Sequence, residues 1–264
     1  MVFLYIIFCL LLPANLFCFI YQEKQVNNYH IGHFGSSHLH QPENNQYKAL
    51  EEKFVAFLKK VNDQKNNNNT TILVIAETPF DNYHQRSDLL ESYNQAITIE
   101  ADLGATAYLA CKYSISLCPG EIPSKDLVEK LCKEFDKNMV YYWFCSRFIY
   151  KWYHLSKKER AKNTLGQFVI HNCSDVLPAD ITFETFKKIH TTLHNTIFNE
   201  QEEEKNQRLF KAILNPQKNT VTKRATELRD EYTTQLLQKK LKAGNNLFIV
   251  YGSNHQKKHL EALT

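Results

Sequence analysis

Two short segments share a Gly-x-x-His pattern: Gly35-Ser36-Ser37-His38 near the start of the chain and Gly252-Ser253-Asn254-His255 near its end. With seven glycines and eleven histidines in 264 residues, chance places about 0.3 such copies, so a pair is a modest excess. The second copy directly follows Asn246-Leu-Phe-Ile-Val-Tyr251, an apolar run of strand type. Open α/β sheets hold their ligand sites beyond the carboxyl ends of such strands. A glycine there lets the chain turn, and a histidine three residues on can reach into the crevice. Three carboxylates occupy comparable places: Glu77 ends Thr71-Ile-Leu-Val-Ile-Ala76, Glu100 ends Ile97-Thr-Ile99, and Glu121 follows Ile115-Ser-Leu-Cys118. A carboxylate placed against an apolar strand is costly to bury unless it is paired, hydrogen-bonded or metal-bound. Two imidazoles with carboxylates suit a divalent transition metal such as Mn, Co or Zn, which lowers the pKa of bound water and polarises a carbonyl. The blander account of each acid is a helix cap or a loop carboxylate.

The elements that must carry these residues can be read from periodicity. Leu50, Phe54, Phe57 and Val61 recur at helical spacing and predict a helix over about 46–62. The runs 71–76, 115–118 and 246–251 predict buried strands. Residues 96–100 extend as a strand or open a helix over 101–114. Further helices are expected at about 124–136, 138–155, 183–214 and 222–242, the second of them strongly aromatic. Strands alternating with helices predict an α/β domain with a mostly parallel or mixed central sheet flanked by helices, and a helical insertion or cap over about 124–214. Residues 21–45, rich in Asn and His, are expected to be irregular. In that reading His30, His33 and His40 are solvated loop histidines, the alternative being an extra metal or haem site.

Composition narrows the function. Apolar residues make up 43% and charged residues 23%, with a net charge of +4, which excludes wholesale disorder and a strongly basic nucleic-acid footprint. No glycine-rich loop for a dinucleotide or triphosphate is present. Residues 1–20 carry no charge and one strongly polar side chain, Asn15. That predicts a signal sequence and an exported protein, periplasmic or secreted; left uncleaved, the segment is a membrane anchor. The remainder, 21–264, is then one domain. Beyond Cys9 and Cys18 in the leader lie Cys111, Cys118, Cys132, Cys145 and Cys173, with no C-x-x-C pair. They are compatible with one disulfide but not with a zinc ribbon or a disulfide scaffold.

The paired Gly-x-x-His motifs, Glu77, the segment Ile99-Glu100-Ala-Asp-Leu-Gly104 leading into Ala107-Tyr-Leu-Ala110, and Arg229-Asp230 ahead of the last strand together resemble the TraB/Tiki superfamily. That group includes ChaN-like and erythromycin-esterase-like proteins, and the resemblance spans about residues 30–264. It implies an exported or membrane-associated α/β protein with histidines, glutamates and an arginine in one cleft. It also implies metal-dependent proteolysis in the Tiki branch, lactone hydrolysis in the erythromycin-esterase branch and haem binding in the ChaN-like branch. Carried over by motif, His38 and His255 are the paired histidines, Glu77 is a metal ligand, Glu100 the general base, and Arg229 the arginine that holds an oxyanion or a substrate carboxylate. The roles of Glu77 and Glu100 are exchangeable. Arg147, on the aromatic helix, and Glu121 are substrate-contact candidates; a helix-surface or ion-pair role suits Arg147 equally. The family's first motif follows an apolar strand, whereas Asn27-Asn-Tyr-His-Ile-Gly-His-Phe34 makes a poor one.

Three functions follow: a metal-dependent hydrolase of a peptide or ester bond; a haem- or ligand-binding protein using histidines and the aromatic helix at 139–153; and a secreted interaction protein with a degenerate cleft. The expected partner is a peptide or small-molecule substrate, without nucleic acid.

Overall fold

Alternating apolar side chains build a sheet that is buried on both faces. The computed structural model describes residues 19–64, 71–78 and 91–263, so nearly all of the apolar leader lies outside the described residues. The first strands are β1 (Ile20–Val26) and β2 (Tyr29–Ser36), an antiparallel hairpin closed by Asn27 and Asn28, with Asn27 at φ 53°. Two-residue hairpin turns favour asparagine at a positive φ. Next come helix α1 (Asn45–Asp63), strand β3 (Thr71–Ala76), helix α2 (Tyr93–Lys112) and strand β4 (Ser116–Pro119). A helical stretch follows, with α3 (Ser124–Glu134), α4 (Lys137–His154), α5 (Lys157–Arg160), α6 (Leu165–Cys173), α7 (Phe183–His194) and α8 (Glu203–Ile213). The long α9 (Thr220–Lys242) leads to β5 (Asn245–Gly252), a short 3₁₀ turn (Ser253–His255) and α10 (Gln256–Glu261).

The strand order is β1-β2-β5-β3-β4, parallel throughout except for β1, so the fold is α/β with a mixed, mostly parallel sheet flanked by helices. The chain divides into two compact units, Met1–Glu121 with Tyr232–Thr264, and Ile122–Glu231. In the first, Ile72, Val74, Phe248 and Val250 face one layer with Leu50, Phe54 and Phe57 of α1 and Leu109 of α2. Their neighbours Leu73, Ile75, Leu247 and Ile249 face the other, with Leu237 and Leu241 of α9 and Leu260. The period-two alternation of a strand thus fills both layers, at about 1.5–3 kcal/mol per fully buried large aliphatic or aromatic side chain. The second unit is wholly helical and packs around α4. There Tyr142 stacks on Phe186 at 5.0 Å and Trp152 meets Phe168 at 5.3 Å.

The expectation of an irregular stretch over 21–45 is overturned for its first half. Residues 29–36 form an inner strand, hydrogen-bonded to β1 on one side and β5 on the other. Its polar residues are tolerated because they find partners across the fold: the His30 N–H donates to Asn246 Oδ1 at 2.7 Å, and the His30 ring pairs with Gln64. His30 and His33 are therefore not solvated loop residues but 5% and 0% exposed. His40 is exposed and reaches the Thr98 carbonyl. Residues 96–100, open between strand and helix by sequence, lie within α2. All five described cysteines are free thiols. Among the described residues no helix is long and apolar enough to cross a membrane.

Candidate metal centre

The register of the sheet brings three strand ends together. Ser36 of β2 pairs with Gly252 of β5, and Ala76 of β3 pairs with Val250 two residues earlier, so β5 lies between the strands that end in the Ser36-Ser37-His38 and Ala76-Glu77 segments. This is the carboxyl edge of the parallel strands, with neighbours drawn from both sides of the order. The Gly252 N–H donates to Glu77 Oε2 at 2.7 Å, and the Glu77 N–H donates to the Val250 carbonyl at 3.1 Å. Glu77 is thereby clamped at side chain and backbone. Its Oε2 lies 3.5 Å from His38 Nε2.

His38 is held from its other nitrogen. Nδ1 lies 2.8 Å from Asp102 Oδ1, and the second oxygen of Asp102 accepts from the Ser36 hydroxyl at 2.7 Å. A carboxylate on Nδ1 keeps the ring proton there and presents Nε2 as the ligating nitrogen, the arrangement that orients metal-binding histidines. Asp102 is 3% exposed. Its position depends on a break inside α2, where Glu100 (φ −133°, ψ 22°) and Ala101 (φ 50°, ψ −130°) leave the helical region. A non-glycine residue at such a positive φ costs about 1–3 kcal/mol, and such strain gathers at functional sites. Gly104 permits the break, since a Cβ there would lie 2.0 Å from the Ala96 carbonyl oxygen.

Gly252 is the hub of the arrangement. A Cβ added to it would meet His38 Nε2 at 2.9 Å, Glu77 Oε2 at 3.3 Å and His255 Cδ2 at 3.8 Å. The bare glycine thus leaves a space bounded by an imidazole nitrogen, a carboxylate oxygen and a second imidazole ring. His255 also stacks on His259 at 5.8 Å, and His259 Nδ1 lies 3.2 Å from His33 Nε2. Burial, with His259 and His255 beside it, pushes the His33 imidazole well below the ordinary histidine range, so that ring is neutral.

Of the residues singled out in the sequence, His38, Glu77 and His255 meet around Gly252. Glu100 sits half-buried at the break in α2, two residues before Asp102. Glu121 is tied to the end of β3 by its N–H, which donates to the Thr78 carbonyl at 3.1 Å. Arg229 and Arg147 belong to the second unit, where both line one cavity. Among the described residues Arg147 makes no ion pair, and it is not on a solvated helix face: its guanidinium lies over the rings of Trp143 and Phe144. Asp102, Ser36 and His259 were missed as site residues by sequence reasoning. A signal existed for Asp102, which stands inside the Glu100–Gly104 segment, and for His259, one helical turn after His255. Comparisons with family models, with curated proteins and with solved structures each return no match.

Proposed function

We propose that the protein is an exported, metal-dependent hydrolase acting on a peptide or ester bond, with the site at the carboxyl edge of β2, β3 and β5. The observation that carries the reading is the space at Gly252, bounded by His38 Nε2, Glu77 Oε2 and the His255 ring. The nitrogen and oxygen donors suit Mn, Co or Zn and would hold one such ion through His38, Glu77 and His255. A divalent ion bound there activates water at neutral pH and polarises a scissile carbonyl. Asp102 fixes the His38 proton at Nδ1, and the Gly252 N–H fixes the direction of Glu77. Glu100 is the proposed general base, taking the proton of the attacking water. The apolar, uncharged leader supports export, and the ordered motifs support kinship with the TraB/Tiki superfamily.

The test is to strip the purified protein with chelator and titrate Zn2+, Mn2+ and Co2+ by calorimetry, then assay peptide and ester substrates. About one ion per chain is expected, with binding abolished in His38→Ala and His255→Ala. Full occupancy in both variants refutes the reading.

A further inference from the structure

We propose that the helical unit carries a separate binding site for a carboxylate with an apolar body, built around Arg147. A cavity of about 320 Å³ opens in this unit, and Arg147, Arg229 and Trp143 are among its walls. The Arg147 guanidinium lies 5.6 Å from the Trp143 ring and 5.5 Å from the Phe144 ring. Among the described residues it makes no ion pair or hydrogen bond, and no carboxylate influences it. An arginine cannot discharge itself by losing its proton, so a largely buried guanidinium without a counter-charge is costly unless an anion joins it. Arg229 lines the same cavity.

The shape of the environment selects the anion. Aromatic rings beside the guanidinium leave its in-plane N–H fork for recognition, and that fork matches a planar carboxylate through two parallel hydrogen bonds. Leu127, Leu214, Pro216 and Ala225 line the cavity together with Thr222 and Thr226, and the four apolar residues suit an apolar tail. Trp143 is itself fixed, its Nε1–H donating to Thr222 Oγ1 at 2.9 Å, so the wall is formed before a ligand arrives. The site stands independently of the hydrolase reading, because every residue it uses lies between Ile122 and Glu231.

The test is a fluorescence titration of the full chain, kept in chelator so that metal binding plays no part. Trp143 is one of only two tryptophans, the other being Trp152, so a ligand in the cavity changes a large share of the emission. The probes are hexanoate, its neutral analogue hexanamide, and inorganic phosphate. Hexanoate is expected to give a saturable change, with hexanamide, which lacks the charge, and phosphate, which lacks the apolar body, at least about tenfold weaker. Arg147→Met should weaken hexanoate by at least the same factor. Thr226→Leu keeps the guanidinium and fills the cavity, and it should do likewise; it decides the matter if Arg147→Met fails to fold by circular dichroism. The proposal is overturned by the absence of saturable binding, by hexanamide or phosphate matching hexanoate, or by wild-type affinity in a folded variant.

Discussion

Replacing Gly252 by alanine separates the stability of the fold from the integrity of the candidate site. Gly252 has φ −53° and ψ 137°, a conformation that alanine adopts without strain. Restricting the unfolded chain at such a position stabilises a protein by about 0.4–1 kcal/mol. Against this stands the new Cβ, 2.9 Å from His38 Nε2 and 3.3 Å from Glu77 Oε2. The His38 side chain is 50% exposed and can swing away, at about 0.5–1.5 kcal/mol for a displaced rotamer. The two effects nearly cancel, so urea denaturation should show a net change within about 1 kcal/mol. The site fares differently, because the swing takes His38 off Asp102 and Glu77, and loss of an orienting partner weakens metal binding by about 10–100-fold. Gly104→Ala is the contrasting control: its Cβ would meet the Ala96 carbonyl oxygen at 2.0 Å, and that backbone cannot swing aside. It should cost about 3 kcal/mol or more, in the range of severe overpacking. Calorimetric Zn2+ titration and denaturation of both variants complete the assay. A Gly252→Ala protein with wild-type metal affinity would refute the reasoning, as would one destabilised as much as Gly104→Ala.

Asp102→Asn should keep the fold while lowering metal affinity by about 10–100-fold, because it removes the charge that fixes the His38 proton; calorimetry reads this directly. In the helical unit, burial, aided by His194 and Lys205, pulls the His190 imidazole down to about 4. The unfolded chain takes up that proton near pH 6.5, so stability should fall as pH drops from about 6.5 to about 4. The loss is of order 2 kcal/mol after allowance for solvent screening, and flattens in His190→Gln, by denaturation at pH 7 and 4.5. Cys145 and Cys173 lie with their sulfurs 3.8 Å apart, and a shared proton and burial push the Cys145 thiol well above the ordinary range. A thiol reagent should modify exposed Cys111 at once and Cys145 only after unfolding, as peptide mass mapping would show.

What was legible in the sequence followed from local pattern, and what was hidden depended on partners far along the chain. β3 and β5 announce themselves as continuous apolar runs, because a parallel strand buried on both faces has no polar side to show. The acid after β3 and the histidine after β5 inherit their places from those strands, which is why Glu77 and His255 could be picked out. β2 is no less buried, yet His30, Gly32, His33, Gly35 and Ser36 disguise it. Each polar member is accommodated by a residue over 60 positions away, or by its turn at the end of α1: Asn246 for the His30 backbone, Gln64 for its ring, His259 for His33, and Asp102 for Ser36. Asp102 was hidden for a different reason. In an unbroken helix, an acid between Ala101 and Leu103 reads as an unremarkable helix residue. It turns inward here because the chain leaves the helical region at Glu100 and Ala101, a departure that alanine's propensity argues against. Local preference is overridden at the one place where the override delivers a carboxylate to His38, and natural sequences break their local rules most often at functional sites. The strained Ala101 therefore supports the same assignment as the hydrogen bonds do, and by an independent route. Ala101→Gly should relieve the strain and stabilise the fold by up to about 1 kcal/mol while leaving Zn2+ affinity unchanged, since the carboxylate stays in place.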